Sequence, residues 1–309
     1  MSPAPARALA TTRSSPPQTI RLRDGRKLAY AAYGDTEGTP VFHFHGHPGS
    51  RLEGKLADSA ARRLGVRLIA VDRPGMGYSD FHPRRQLLDW PDTVLEVADA
   101  LGIQRFAVQG VSGGGPYALA CAFKIPDRLR ACGVVAGLGP IHELGLNGMM
   151  LVNRLQFTVA RRAPWFLRPL FWAHLGRYRR RLRDPESFDR LVVQLSKGIT
   201  KLTGSRELAE AYVMETLEAF RQGTKGPAFD ARLYVRPWGF RLEDIKLPTV
   251  YLWHGQRDVH VPITMARAVS ESIPNCQARF FPAEDHLTLI LQHLDEVLET
   301  MRNPKAAHT

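Results

Sequence analysis

The chain has 309 residues, of which 44% are hydrophobic, enough to bury the core of one large domain with room for an insertion. No apolar run approaches the roughly 18 residues of a membrane-spanning helix, and Cys121, Cys132 and Cys276 show neither metal-ligand spacing nor a paired framework, which points to a reduced, cytoplasmic protein. The net charge of +12 favours anionic partners, but no recognised nucleic-acid motif accompanies it, so stable membrane insertion and nucleic-acid binding are both set aside.

The first 23 residues hold no acidic side chain and lack the apolar stretch of a secretion signal, so residues 1–18 read as a disordered tail. Residues 19–22 and 27–33 predict two strands joined by a turn at Asp24 and Gly25. Residues 41–45 predict a third strand, which runs into Gly46, His47, Pro48 and Gly49. A helix is expected over 52–64, closed by Gly65, and a fourth strand over 66–71. That strand leads to Asp72 and Arg73, which open a loop too rich in Gly and Pro for regular structure. Val94, Val97, Ala98 and Leu101 repeat at helical spacing.

Residues 105–108 are an apolar strand and 117–123 read as a helix. Between them stand Gly110, Ser112, Gly113 and Gly114, in the strand–turn–helix context that a Gly-x-Ser-x-Gly pattern requires. A side chain at 110 or 114 would collide with a neighbouring element, and the turn lifts the Ser112 hydroxyl above the sheet edge. Another strand follows at 132–136. From about 137 to 244 strand signals vanish and amphipathic helical stretches dominate, such as 209–220. Trp165, Phe166, Phe171 and Trp172 are expected in the core of this segment, with some reaching a pocket roof. The arginine cluster 177–183 reads as a solvated helix face, or else as a docking surface for an anionic partner or membrane surface.

The strand pattern returns at 249–253, followed by a helix over 262–272, a last strand over 278–281 and a final helix over 287–301. Apolar strands alternating with helices imply a mostly parallel sheet covered on both faces, eight strands in all. Ligands of such sheets bind at the carboxyl ends of the strands, where Ser112 falls. Asp258 and His286 stand in loops that follow the two last strands, hence at the same edge. A serine nucleophile needs a base, and the base an orienting group. The chain order Ser, Asp, His suits a sheet enzyme of this kind. Asp230 and Asp244 lie in or near the helical segment rather than after a strand, and His260 and His293 at a helix start and inside a helix. His43, His45 and His47 alternate, but a zinc site would want further ligands close by in sequence, so no metal is expected.

Over residues 19–301 the chain resembles the α/β-hydrolases that carry a helical cap. The resemblance rests on the loop His45–Gly49, the loop 72–79, the Ser112 turn, and the Asp258 and His286 loops. It implies an α/β-hydrolase fold with core residues 19–139 and 245–303 and a cap over 140–244. It implies Ser112 as nucleophile, His286 as base, Asp258 as the orienting acid, and backbone N–H groups of His47 and Gly113 as the oxyanion hole, with no cofactor. Asp72 and Arg73 are mainly structural in that resemblance. Two departures stand out: His47 occupies a position that usually carries Gly, Asn or an apolar residue, and Glu284–Asp285 precede His286 where many relatives have Gly.

The implied activity is serine hydrolysis of a small carboxylic ester or lactone. Acyl transfer, C–C bond hydrolysis and aminopeptidase action use the same triad. The similarity to the proline-iminopeptidase branch is weaker, because that branch needs cap carboxylates to hold a substrate amine and this cap is basic. Epoxide hydrolases and haloalkane dehalogenases use an Asp where Ser112 stands. A non-catalytic small-ligand binding protein is the reading from another class.

Overall fold

The computed structural model describes residues 17–173, 186–187, 190 and 205–304. Most of the tail and the arginine cluster 177–183 lie outside the described residues. Eight strands form one sheet: β1 (Gln18–Arg21), β2 (Lys27–Gly34), β3 (Thr39–Phe44), β4 (Val66–Val71), β5 (Phe106–Val111), β6 (Leu129–Val135), β7 (Val250–Gly255) and β8 (Cys276–Phe281). Their spatial order is β1-β2-β4-β3-β5-β6-β7-β8. The β1–β2 and β2–β4 pairs are antiparallel and every other pair is parallel. This is the mostly parallel, helix-flanked sheet that the sequence pattern implies.

The central strands are apolar on both sides because both faces are covered. All six residues of β5 and of β7 are buried. Successive residues of β5 feed opposite cores: Phe106 and Val108 join one apolar cluster, Ala107 and Val111 the other. The covering helices of the core are α1 (Asp58–Arg63), α2 (Trp90–Ala100), α3 (Gly115–Lys124), and, later in the chain, α8 (Ile263–Ser272), α9 (His286–Gln292) and α10 (Leu294–Arg302). Between β6 and β7 come α4 (Ile141–Leu144), α5 (Leu151–Arg162), α6 (Arg206–Ala219) and α7 (Lys225–Tyr234).

Two expected helices are broken. In place of one helix over 52–64, a 3-10 turn at Arg51–Ala57 precedes α1. Gly54, a poor helix former, is pressed against the sheet there; a methyl on it would meet Tyr33 and Ala70 at 2.8 Å. The expected helix 287–301 is divided at His293, whose backbone leaves helical geometry and whose ring packs 4.0 Å from that of Phe281.

The insertion also departs from expectation. Phe171 is buried, but Trp165, Phe166 and Trp172 are exposed on the outside rather than packed in its core, and none of the four lines the cavity beneath. The helix that follows Phe166 turns Leu167 and Phe171 inward and Trp172 outward, while Trp165 and Phe166 stand in the 3-10 turn Pro164–Phe166 before it.

Candidate active site

The chain turns sharply where β5 ends. Ser112 has φ of +52°, a left-handed conformation that few residues other than Gly adopt, so the structure holds it there under strain. The turn works only because its neighbours lack side chains. A methyl on Gly110 would stand 2.2 Å from the Gly114 carbonyl oxygen, and one on Gly114 would stand 2.0 Å from that of Phe44. Backbone, not a flexible side chain, blocks both positions. Gly114→Ala is therefore expected to cost about 3 kcal/mol or more, read as a lowered urea midpoint.

Ser112 opens onto a cavity of about 330 Å³ at the carboxyl ends of the parallel strands. The same cavity is lined by Gly46, His47, Pro48 and Gly113 from the core, by His260 and His286 from the late loops, and by Asn153, Gln156, Phe157, Glu215 and Tyr234 from the insertion. His286 Nδ1 lies 2.6 Å from Asp258 Oδ2. Asp258 Oδ1 accepts the backbone N–H groups of His260 and Val261 at 2.8 and 2.9 Å. Burial alone would raise the Asp258 pKa, but the His286 hydrogen bond and charge outweigh it and hold the carboxyl below its ordinary value. An ionised Asp258 can only accept, so His286 donates from Nδ1 and leaves Nε2 as the unprotonated nitrogen. His254 lies beneath the pair and donates from Nε2 to the Val261 carbonyl at 2.8 Å, which fixes the loop from below.

The departure before His286 has a structural use. Asp285 caps α9, accepting the N–H groups of Leu287 and Thr288 at 3.0 and 2.9 Å. His286 is the first residue of that helix, so the cap fixes where its side chain leaves the backbone.

The His47 and Gly113 backbones face each other closely. A methyl on Gly113 would stand 2.6 Å from His47 Cβ and 3.3 Å from the His47 nitrogen. The loop that carries His47 is gripped at both ends of the Gly46 residue. Glu53 Oε2 accepts the Gly46 N–H at 2.8 Å. Arg73 donates from Nη1 to the His45 carbonyl and from Nη2 to the Gly46 carbonyl, the latter at 2.8 Å. C=O and N–H point opposite ways across a trans peptide. With the Gly46 carbonyl turned to Arg73, the His47 N–H points away from Arg73.

Arg73 is itself held from the insertion. Its Nε donates at 2.7 Å to Asp230 Oδ2 on α7, and Arg85 and Tyr117 donate to Asp230 Oδ1. Burial would raise Asp230, but Arg73 and Arg85 hold its carboxyl well below the carboxylate range. Asp72 lies beside this group, with Oδ1 accepting the Arg51 N–H at 2.7 Å and Oδ2 the Tyr78 N–H at 3.0 Å. Asp230, a rival to Asp258 by residue type, thus braces the His45–Gly49 loop through Arg73, and none of its hydrogen bonds reaches His286.

The alternating histidines are used separately. His43 takes a hydrogen bond from Gln109 at 3.0 Å and donates to Glu53 at 2.9 Å. His45 donates from Nδ1 to the Gly46 carbonyl at 2.9 Å and accepts the Arg73 N–H on Nε2 at 3.2 Å. The His47 ring packs edge-on to Phe171 and Tyr234, and burial pushes its pKa down to about 4, so it is neutral. No cluster of His, Cys, Asp or Glu able to hold a metal exists among the described residues.

Sequence reasoning missed Glu215. It is buried on α6, accepts the Ser50 N–H at 3.1 Å and lines the cavity together with Glu53. Burial and then the Glu53 charge push its pKa well up. The insertion therefore does bring a carboxyl group to the pocket, against the expectation from its basic composition. The spacing of 162 residues between Glu53 and Glu215 leaves no local signal.

Three comparisons place the molecule among known proteins. A 2-hydroxymuconate semialdehyde hydrolase of Pseudomonas putida is 27% identical over 303 residues, covering 90% of this chain and 93% of that protein. A proline iminopeptidase of Xylella fastidiosa is 24% identical over 312 residues, covering 89% and 92%. An esterase of Exiguobacterium antarcticum has the same fold, with a TM-score of 0.64 at 17% identity over 92% of this chain and 97% of that one. The family model described as alpha/beta hydrolase fold matches residues 39–292, most of the sheet and the whole insertion. The chain belongs to the alpha/beta hydrolase family.

Proposed function

We propose that the protein is a serine hydrolase that cleaves a carboxylic ester or lactone through an acyl-enzyme. The observation that carries this is His286, 2.6 Å from Asp258, opening with Ser112 onto one cavity. Ser112 Oγ attacks the acyl carbon as His286 Nε2 takes its proton. The oxyanion is held by the N–H groups of His47 and Gly113. The tetrahedral adduct collapses, His286 returns the proton to the departing alkoxide, and Ser112 is left acylated. Water, deprotonated by His286, then attacks the ester carbon; the acyl–Oγ bond breaks as His286 returns the proton to Ser112 Oγ, releasing the acid and the free serine. Asp258 steadies the imidazolium at each stage. No metal or cofactor enters these steps.

We assign residues 19–139 and 245–303 to the core and 140–244 to a cap that roofs the pocket through α5, α6 and α7. The cavity suits a small-molecule substrate. Its lining sets Leu138, Phe157 and Ile290 beside Asn153, Gln156 and Tyr212, which suits a substrate with both apolar and polar parts. The free cysteines and the lack of a helix able to cross a membrane among the described residues accord with a cytoplasmic location.

The test is turnover of p-nitrophenyl esters of increasing acyl length, with a chelator control and intact-mass analysis after a fluorophosphonate. Hydrolysis indifferent to chelator, with one phosphonyl group on Ser112, is the expected result. Turnover without labelling at Ser112 would sink the reading.

Aminopeptidase action is the second reading, favoured by Glu53 and Glu215 in the cavity wall. Burial pushes the Glu215 pKa up and so opposes the carboxylate that a substrate ammonium needs. We therefore rank it second, and prolyl p-nitroanilide in the same assay distinguishes it.

A further inference from the structure

Eight large apolar side chains are exposed among the described residues, and six of them fall between Leu151 and Trp172. Leu151 is 78% exposed, Trp165 73% and Trp172 71%. Val152, Leu155 and Phe166 are also open to solvent. The seventh, Val259, adjoins the start of α5, where its carbonyl accepts the Met150 N–H at 2.7 Å. This surface is not the surplus of a helix with one apolar stripe. α5 already buries Phe157 and Ala160 on its inner side, and Leu151, Val152 and Leu155 are an additional outer set.

Charge selects the partner. From Leu144 to Arg183 the chain carries nine arginines and no Asp or Glu. The four described from that run on, Arg154, Arg161, Arg162 and Arg168, form no salt bridge among the described residues. Exposed Trp, Phe and Leu mixed with unpaired Arg suit the boundary between headgroups and acyl chains: rings and aliphatics enter the apolar layer while guanidinium groups meet anionic headgroups. The contact is peripheral, because no described helix is long and apolar enough to cross a bilayer.

The patch also borders the pocket. Asn153 and Gln156 of α5 line the cavity, and Asn153 donates to the His260 carbonyl at 3.2 Å. We propose that the outer face of residues 151–172 docks the protein on an anionic lipid surface, with the Ser112 cavity mouth beside the contact. Docking stands on the surface alone. Delivery of a lipid-borne ester to Ser112 rests on the hydrolase reading.

The full chain is sedimented with vesicles of phosphatidylcholine alone and of phosphatidylcholine mixed with phosphatidylglycerol, and its tryptophan emission is followed. We expect binding to the anionic vesicles, a blue shift, and weakening by salt. Trp165→Ser with Trp172→Ser, and separately Arg161→Glu with Arg168→Glu, are each expected to weaken binding at least tenfold. Both variants keep activity on a soluble p-nitrophenyl ester, since neither pair lines the cavity. Vesicle binding that both variants retain overturns the proposal. So does a chain that ignores anionic vesicles, including one that instead self-associates through this patch. An enzyme active on soluble esters yet blind to vesicles would remove the docking surface and leave the hydrolase reading standing.

Discussion

Ser112→Ala is expected to lower kcat by roughly 10⁴- to 10⁶-fold while leaving stability within about 0.5 kcal/mol of the parent protein. The stability half follows from geometry. Alanine keeps the Cβ and the same left-handed strain at φ +52°, and the side chain points at a cavity rather than into packing. The rate half follows from the unit in which the serine acts. On the proposed mechanism, without Oγ there is nothing for His286 to deprotonate and no acyl-enzyme. The double variant Ser112→Ala with His286→Ala should therefore be no slower than the single one, since residues acting as a unit are not additive. A Ser112→Ala protein retaining a tenth of parental activity would mean that the chemistry runs elsewhere.

Arg73→Met is expected to cost about 3–5 kcal/mol, the largest loss of stability from any single replacement considered. Arg73 and Asp230 are both fully buried, and removing the cation strands an ionised carboxylate with one fewer partner. It also frees the carbonyls of His45 and Gly46 from their donor. Arg73→Lys separates the two roles. It keeps the charge but cannot reach Asp230 and both carbonyls at once, since Lys lacks the planar fork. With the Gly46 peptide no longer held, the His47 N–H proposed as an oxyanion donor loses its aim. Loss of one such donor costs about 10²-fold or more in kcat, with KM little moved. Unfolding by urea and kinetics on one soluble ester read both effects. The contribution of Asp230 has a definite pH sign. Its folded pKa is depressed, so the stabilisation is fully present above about pH 4, the unfolded value, and falls away as pH drops toward the folded one.

The sheet was legible because its signal is local. Residues 106–108 and 250–253 are continuous apolar runs, and such runs become two-sided central strands. The candidate site was legible where it is tied to that pattern: Ser112, Asp258 and His286 each follow a strand, so topology brings them to one edge. What stayed hidden are pairs between core and insertion. Arg73 meets Asp230 across 157 residues, and Ser50 meets Glu215 across 165, with no periodicity to announce either contact. The aromatics at 165, 166 and 172 were misjudged for the opposite reason. Hydrophobicity predicts removal from water, and here a basic, acid-free neighbourhood accompanies its failure.

The Asp230 carboxylate has a consequence for how such enzymes are recombined. Exchange of the segment between β6 and β7 looks like a modular way to change substrate range, since both crossings leave the sheet intact. In this chain the module carries the counter-ion of a cation rooted in the other module. A chimera that imports a foreign segment without an acid at the Asp230 position would lose more than a new pocket roof. It would inherit a core whose His45–Gly49 loop has lost its clamp, and on the proposed mechanism would look inactive whatever its new specificity.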